Sequence, residues 1–227
     1  MKRCLSIIII ICIFLLCCSC SNQEKTTKKI KIGVIDSCIS DTMVQELGIK
    51  KYYKISEDIT NNNLTHGSII TKIIQQEIDN CDIYYYSIYD GNCRGKYENV
   101  VYAITKCIED EVDCISMSFA TLQDDLKIRN AIELAQKKDI IIIASCINFS
   151  DRDCYPAMYE GVISVTDGFN KNATINLNGK IVQVELCGKK LKKSEVSFLT
   201  AYTCGKIAKK MSQGATIDVI KKNLTSL

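Results

Sequence analysis

Three side chains far apart in the chain carry the residue types that acyl transfer by a serine requires: Asp36, His66 and Ser197. That chemistry needs a nucleophilic hydroxyl, an imidazole to take its proton, a carboxylate to orient the imidazole, and donors for the developing oxyanion. His66 is the only histidine in the sequence, so any imidazole base must be His66. Read alone it is equally a structural or surface histidine. Asp36 closes the apolar run Ile32-Gly33-Val34-Ile35, where a carboxylate orients a base or, more often, caps a loop or helix. Ser197 opens a helical segment, and a serine there is usually an N-cap. The same place exposes a hydroxyl at a helix N-terminus, which favours developing negative charge. Asn148 follows a buried apolar run. By itself it is a turn asparagine; as an oxyanion donor beside the Ser197 amide its loss would cost about 100- to 1,000-fold in rate.

The elements that must position these residues follow from the hydrophobic pattern. Short apolar runs alternate with amphipathic segments from residue 30 onward, which predicts an α/β fold with a doubly wound, mostly parallel sheet flanked by helices. Strands are expected at Ile30–Asp36, Asp82–Tyr89, Asp113–Phe119, Ile140–Ala144 and Val162–Val165. Helices are expected at Thr65–Glu77, Tyr97–Asp110, Asp125–Lys138, Ser197–Met211 and Ile217–Asn223. Residues 173–186 read as a hairpin around Asn178-Gly179. Asp36, Ser118 and Asn148 then fall at or just past the carboxyl ends of strands, where sites form in such sheets.

The order and surroundings of the candidate residues resemble the subtilase family along almost all of residues 30–223. Ile32-Gly33-Val34-Ile35-Asp36-Ser37 is similar to its aspartate motif, and His66-Gly67-Ser68 to its histidine motif. Asp113 to Phe119 resembles the strand that pairs with substrate. Ile140 to Asn148, Tyr155-Pro156-Ala157 and Gly161 to Val165 resemble the oxyanion-asparagine region, and Ser194 to Ala201 the nucleophile motif. Asp, His, Ser is also the chain order of subtilisin. The resemblance implies a serine endopeptidase with Asp36, His66 and Ser197 as a triad and Asn148 as oxyanion donor. Ser118, Phe119 and Ala120 would pair with an extended peptide, and Ala144, Ser145 and Cys146 would line the first specificity pocket. No cofactor or metal is implied. The sequence departs from the family where glycines are usual: Cys38, Ala120, Ile147 and Glu195 stand there, Val196 replaces a threonine, and Ala201 a proline. The competing reading is a catalytically impaired peptide-binding or sensing lipoprotein of the same fold. A nucleotide-binding domain is disfavoured, because Asp36-Ser37-Cys38 stands where a glycine-rich phosphate loop would follow the first strand.

Composition bounds the rest. At 227 residues the chain suits one domain. Lys2, Arg3 and the apolar run from Ile7 to Leu16 read as a signal segment. Residues 1–19 are expected to be a lipoprotein-type signal peptide, with Cys20 after Ser19 as the lipidated residue and Cys18 as second choice. Residues 20–29 would be a tether and 30–227 the peptidase domain, held at the outer face of a membrane or secreted. Removing Lys2 and Arg3 from the formal charge of +3 leaves about +1, which excludes a nucleic-acid partner on charge and on motif. Of fourteen cysteines, nine follow Cys20. None of those nine shows C-x-x-C spacing, and with a single histidine a zinc site is not expected. Cys107, Cys114, Cys146 and Cys204 lie in apolar patterns and read as small buried residues; disulfide connectivity is not legible.

Overall fold

The computed structural model describes residues 28–54, 65–89, 95–146, 154–167, 173–177, 180–184 and 196–223. In chain order the elements are β1 (Ile30–Asp36), α1 (Asp41–Glu46), β2 (Lys51–Tyr53), α2 (His66–Glu77), β3 (Cys81–Ser87), α3 (Tyr97–Glu109), β4 (Cys114–Met117), α4 (Leu126–Gln136), β5 (Ile141–Ser145), β6 (Ile163–Asp167), β7 (Ala173–Leu177), β8 (Lys180–Val184), α5 (Val196–Ser212) and α6 (Ile217–Lys222).

The eight strands form one sheet in the order β2-β3-β1-β4-β5-β6-β7-β8. The first six positions in that order pair in parallel, and β7 and β8 extend the sheet as an antiparallel hairpin. After β1 the chain runs to the edge of one side as β2 and returns inward as β3, then crosses to build β4, β5 and β6 on the other. The reversal lies between β1 and β4, the crevice where sites form in open α/β sheets.

Central strands of a sheet covered on both faces must be apolar on both. Ile141 and Ile143 face the layer of α2 and α5, while Ile142 and Ala144 face that of α3 and α4. Ile32 and Val34 likewise oppose Ile35 across β1. Helix starts are set by local chemistry: the Thr65 hydroxyl accepts from the Ser68 N–H, and Asp125 caps α4 through the N–H groups of Lys127 and Ile128. α5 is buried along most of its circumference rather than on a single stripe, because it packs on the sheet and against α2 at once.

The expected strands and helices are all present, with ends shifted by one or two residues. α1 and β2 were not foreseen; at six and three residues they are too short to show a period. The expected hairpin exists as β7 and β8, and Asn178-Gly179 lies outside the described residues.

Candidate active site

β1 delivers Asp36 to the carboxyl edge of the sheet, where the residue is 2% exposed. One oxygen, Oδ1, accepts from the Ser37 N–H at 2.6 Å and contacts His66 Nδ1 at 2.8 Å. The other, Oδ2, is buried with no hydrogen-bond partner among the described residues. His66 is the first residue of α2, and its side chain is half-exposed at 43%. A buried carboxylate on Nδ1 selects the tautomer with hydrogen on Nδ1, which makes Nε2 the proton-accepting nitrogen.

A small network fixes this pair. The Gly67 N–H donates to Ser37 Oγ at 3.1 Å, and the Tyr85 hydroxyl donates to the Ser37 carbonyl at 2.5 Å. Burial, and next the Asp36 charge, push the Tyr85 phenol well above its ordinary pKa, so it remains a donor. Gly67 is required by this approach: a Cβ there would lie 1.6 Å from the Tyr85 oxygen.

Ser197 sits inside the first described turn of α5, not at an N-cap. Its hydroxyl donates to the Ser118 carbonyl at 3.2 Å, and the Ser118 hydroxyl donates back to the Ser197 carbonyl at 3.4 Å. The next residue, Phe198, lays its ring against the His66 imidazole with centroids 6.3 Å apart. A second hydroxyl pair, Ser145 Oγ and Thr200 Oγ1 at 2.9 Å, ties α5 to the end of β5. Gly205 allows α5 to approach α2 closely, since a Cβ there would lie 2.7 Å from Glu77 Cβ and 3.0 Å from the Ile74 carbonyl.

Ser118, Phe119 and Ala120 continue β4 past its last paired residue, as the sequence suggests. Beside them opens a cavity of about 420 Å³ lined by Phe119, Ala120, Tyr89, Tyr97, Ile128 and Tyr155. A larger cavity of about 860 Å³ lies at the opposite edge, around Asp113 and Asp139, and contains none of the candidate residues. Ala144 is fully buried, and the Ser145 hydroxyl pairs with that of Thr200. Cys146 does reach the surface, but it is not the free buried cysteine its apolar setting suggests. It forms a disulfide with Cys154, a pairing that nine downstream cysteines conceal in the sequence. Cys107, Cys114 and Cys204 are buried thiols as expected. Asn148, Cys20 and Cys18 lie outside the described residues.

Two of the unusual substitutions are accommodated without strain. Cys38 and Ala120 are not among the described residues with positive φ. The Cys38 sulfur lies 2.8 Å from Ser87 Oγ and donates to the Tyr89 carbonyl.

The family model of the subtilases matches residues 27–217. The chain belongs to the subtilase family. Among curated proteins, the major intracellular serine protease of Bacillus subtilis (strain 168) is 32% identical over 80 residues, 33% of this chain and 25% of the relative. This subtilase therefore matches about a quarter of that protein's length. Among solved structures, the prenylagaramide maturation protease PagA superposes with a TM-score of 0.58 at 17% identity, over 83% of this chain and 77% of that one. A lanthipeptide protease gives a TM-score of 0.58 at 13% identity, over 88% and 76%. At such identities the likeness to both is one of fold.

Proposed function

We propose that this subtilase is a serine endopeptidase in which Ser197 attacks the scissile carbonyl of an extended peptide. His66 Nε2 takes the hydroxyl proton and later passes it to the leaving amine. Asp36 holds the imidazole's tautomer and stabilises the imidazolium that forms. Asn148 and the Ser197 N–H bind the oxyanion. The observation that carries the reading is the 2.8 Å contact between the only imidazole and a buried carboxylate, next to the helix that carries Ser197.

The Ser197 hydroxyl must first leave the Ser118 carbonyl. An extended peptide lying along Ser118–Ala120 presents main-chain N–H groups to that same carbonyl. Its binding would free the hydroxyl for His66, and a neighbouring side chain would enter the cavity of about 420 Å³. Both solved fold neighbours are named for peptide processing. A peptide precursor is the substrate class that this supports.

The test is active-site labelling. A fluorophosphonate should label the wild-type protein and leave Ser197→Ala and His66→Ala unlabelled, and peptide hydrolysis should follow the same pattern. Labelling or cleavage that survives Ser197→Ala would show that another nucleophile acts.

We also infer that the protein works outside the cytoplasm, anchored through Cys20. The Cys146–Cys154 disulfide supports an oxidising compartment, and the N-terminal segment supports the anchor. Metabolic labelling with a fatty acid should be abolished by Cys20→Ser. Labelling that persists in that variant would move the anchor to Cys18, and a wild type that takes up no label would remove it.

A further inference from the structure

The walls beyond β4 and β5 share no ladder of their own: the last paired residues are Met117 and Ala144. Both segments contact α5, through Ser118 with Ser197 and Ser145 with Thr200, and what joins them to each other above that point is a tie built from Cys146, Cys154, Tyr155 and Thr121. Cys146 continues β5, and its N–H donates to the Val165 carbonyl at 2.7 Å. Its sulfur is bonded to Cys154, with Cα atoms 5.8 Å apart and a sequence separation of 8. The next residue, Tyr155, exchanges two main-chain hydrogen bonds with Thr121, each of 2.8 Å. Thr121 directly follows Ser118, Phe119 and Ala120. A continuous path of one covalent and two hydrogen bonds thus crosses from one wall to the other. Tyr155 also lines the cavity beside Phe119 and Ala120.

The geometry points to the Cys146–Cys154 disulfide as a positioning element that sets the separation of the walls between which a peptide lies, so that peptide recognition depends on its oxidation state; this rests on the peptidase reading. Cys154 is fully buried, whereas Cys146 is partly exposed, so a dithiol such as dithiothreitol reaches the Cys146 sulfur. Its thiolate displaces the Cys154 thiolate, and its second thiol then releases Cys146. The protein gains two electrons and two protons as two thiols, and the reductant becomes a cyclic disulfide. Asp36 and His66 are not part of this tie, since they are held by Ser37, Gly67 and Tyr85; Asn148, the proposed oxyanion donor, follows Cys146 by two residues. Loss of the tie should therefore weaken peptide binding while the proton relay stays in place, and slow the chemical step only as far as Asn148 is displaced.

The experiment compares the full chain, oxidised or treated with dithiothreitol, with Cys146→Ser/Cys154→Ser, well below the melting temperature of each. The expected result is a KM for an extended peptide raised about tenfold, with kcat and fluorophosphonate labelling lowered by much less than the about 100-fold that loss of an oxyanion donor costs. Reoxidation of the reduced wild type with oxidised glutathione should restore KM. An unchanged KM in a folded variant overturns the proposal, because a merely stabilising disulfide would lower the melting temperature alone. Hydrogen exchange at the Thr121 and Tyr155 amides gives a readout that needs no activity. Exchange should quicken about tenfold or more without the disulfide, and unchanged protection overturns the tie. A wild type that neither labels nor cleaves removes the peptidase reading instead, and the exchange result still decides whether the tie exists.

Discussion

The α2/α5 face and the α3/α4 face of the sheet bury comparable aliphatic sets, yet candidate chemistry sits on only one. The α3/α4 layer is filled by Ile104, Ile115, Met117, Ile128, Ile132 and their neighbours, with polar contacts at its margins, Tyr86 to Asp110 and Tyr159 to Asp124. The α2/α5 layer also buries Ser68, Thr71, Thr200 and Thr203, with Ser116 facing it from β4. Two of these hydroxyls turn back on their own helices: Thr71 to the Gly67 carbonyl and Thr200 to the Val196 carbonyl. With Gly205 they let two helices whose first turns carry His66 and Ser197 lie close together. The difference teaches that the interior of the α3/α4 layer, away from the cavity beside Phe119 and Ala120, is packing open to volume-conserving change, while the α2/α5 layer sets the positions of His66 and Ser197.

The largest effect that would sharpen this contrast lies at the carboxylate. Asp36→Asn preserves shape but offers an amide N–H to Nδ1, which favours the wrong tautomer. It should lower kcat by about 10,000-fold with little change in melting temperature. Near-normal turnover would break the functional assignment of this face. On the other face, Ile104 is fully buried on α3. Ile104→Ala should cost about 2–5 kcal/mol in denaturant unfolding and leave kcat/KM within about twofold where the protein is folded. Gly205→Ala is the matching change on the site face. Its Cβ would meet Glu77 Cβ at 2.7 Å and the Ile74 carbonyl at 3.0 Å. It should cost about 1–3 kcal/mol and, despite the smaller loss of stability, lower kcat about tenfold by shifting α5 against α2. If Ile104→Ala cost more activity than Gly205→Ala, the division of labour between the faces would be wrong.

How far the sequence exposes these features depends on their range. β1 was bounded to the residue, Ile30 to Asp36, because a strand buried on both faces is one unbroken apolar run closed by a charge. The site's skeleton was legible for a related reason: with one histidine, any imidazole partner of Asp36 had to be His66. What stayed hidden depends on tertiary geometry. Nothing local tells Cys146 to pair with Cys154 rather than with another cysteine. Nothing local shows that Cys38 would pack against Ser87 and so tolerate a position usually held by glycine, or that the Ser197 hydroxyl would rest on the Ser118 carbonyl. Tyr85 is the clearest omission. It reads as one more aromatic of a β-rich run, and its role depends on the strand register that sets Val34 against it and Asp36 against Ser87.

That register makes Tyr85 the subtlest test of the positional face. Tyr85→Phe removes the donor to the Ser37 carbonyl and keeps the ring and its edge contact with Tyr52, whose centroid lies 5.7 Å away. The cost should be about 1 kcal/mol, with activity lowered a few-fold because Ser37 links Asp36 to the turn after His66. The pH dependence carries a sign that separates this from a packing defect. Burial keeps the folded phenol protonated well above its ordinary value of 10.0, while an unfolded tyrosine ionises near that value. This contribution is therefore complete below about pH 10 and is lost as the pH rises further. Urea unfolding at pH 7 to 11 should show the wild type losing stability more steeply than Tyr85→Phe above pH 10. Parallel curves would mean that the phenol ionises equally in both states and does not act as an obligate donor beneath Asp36.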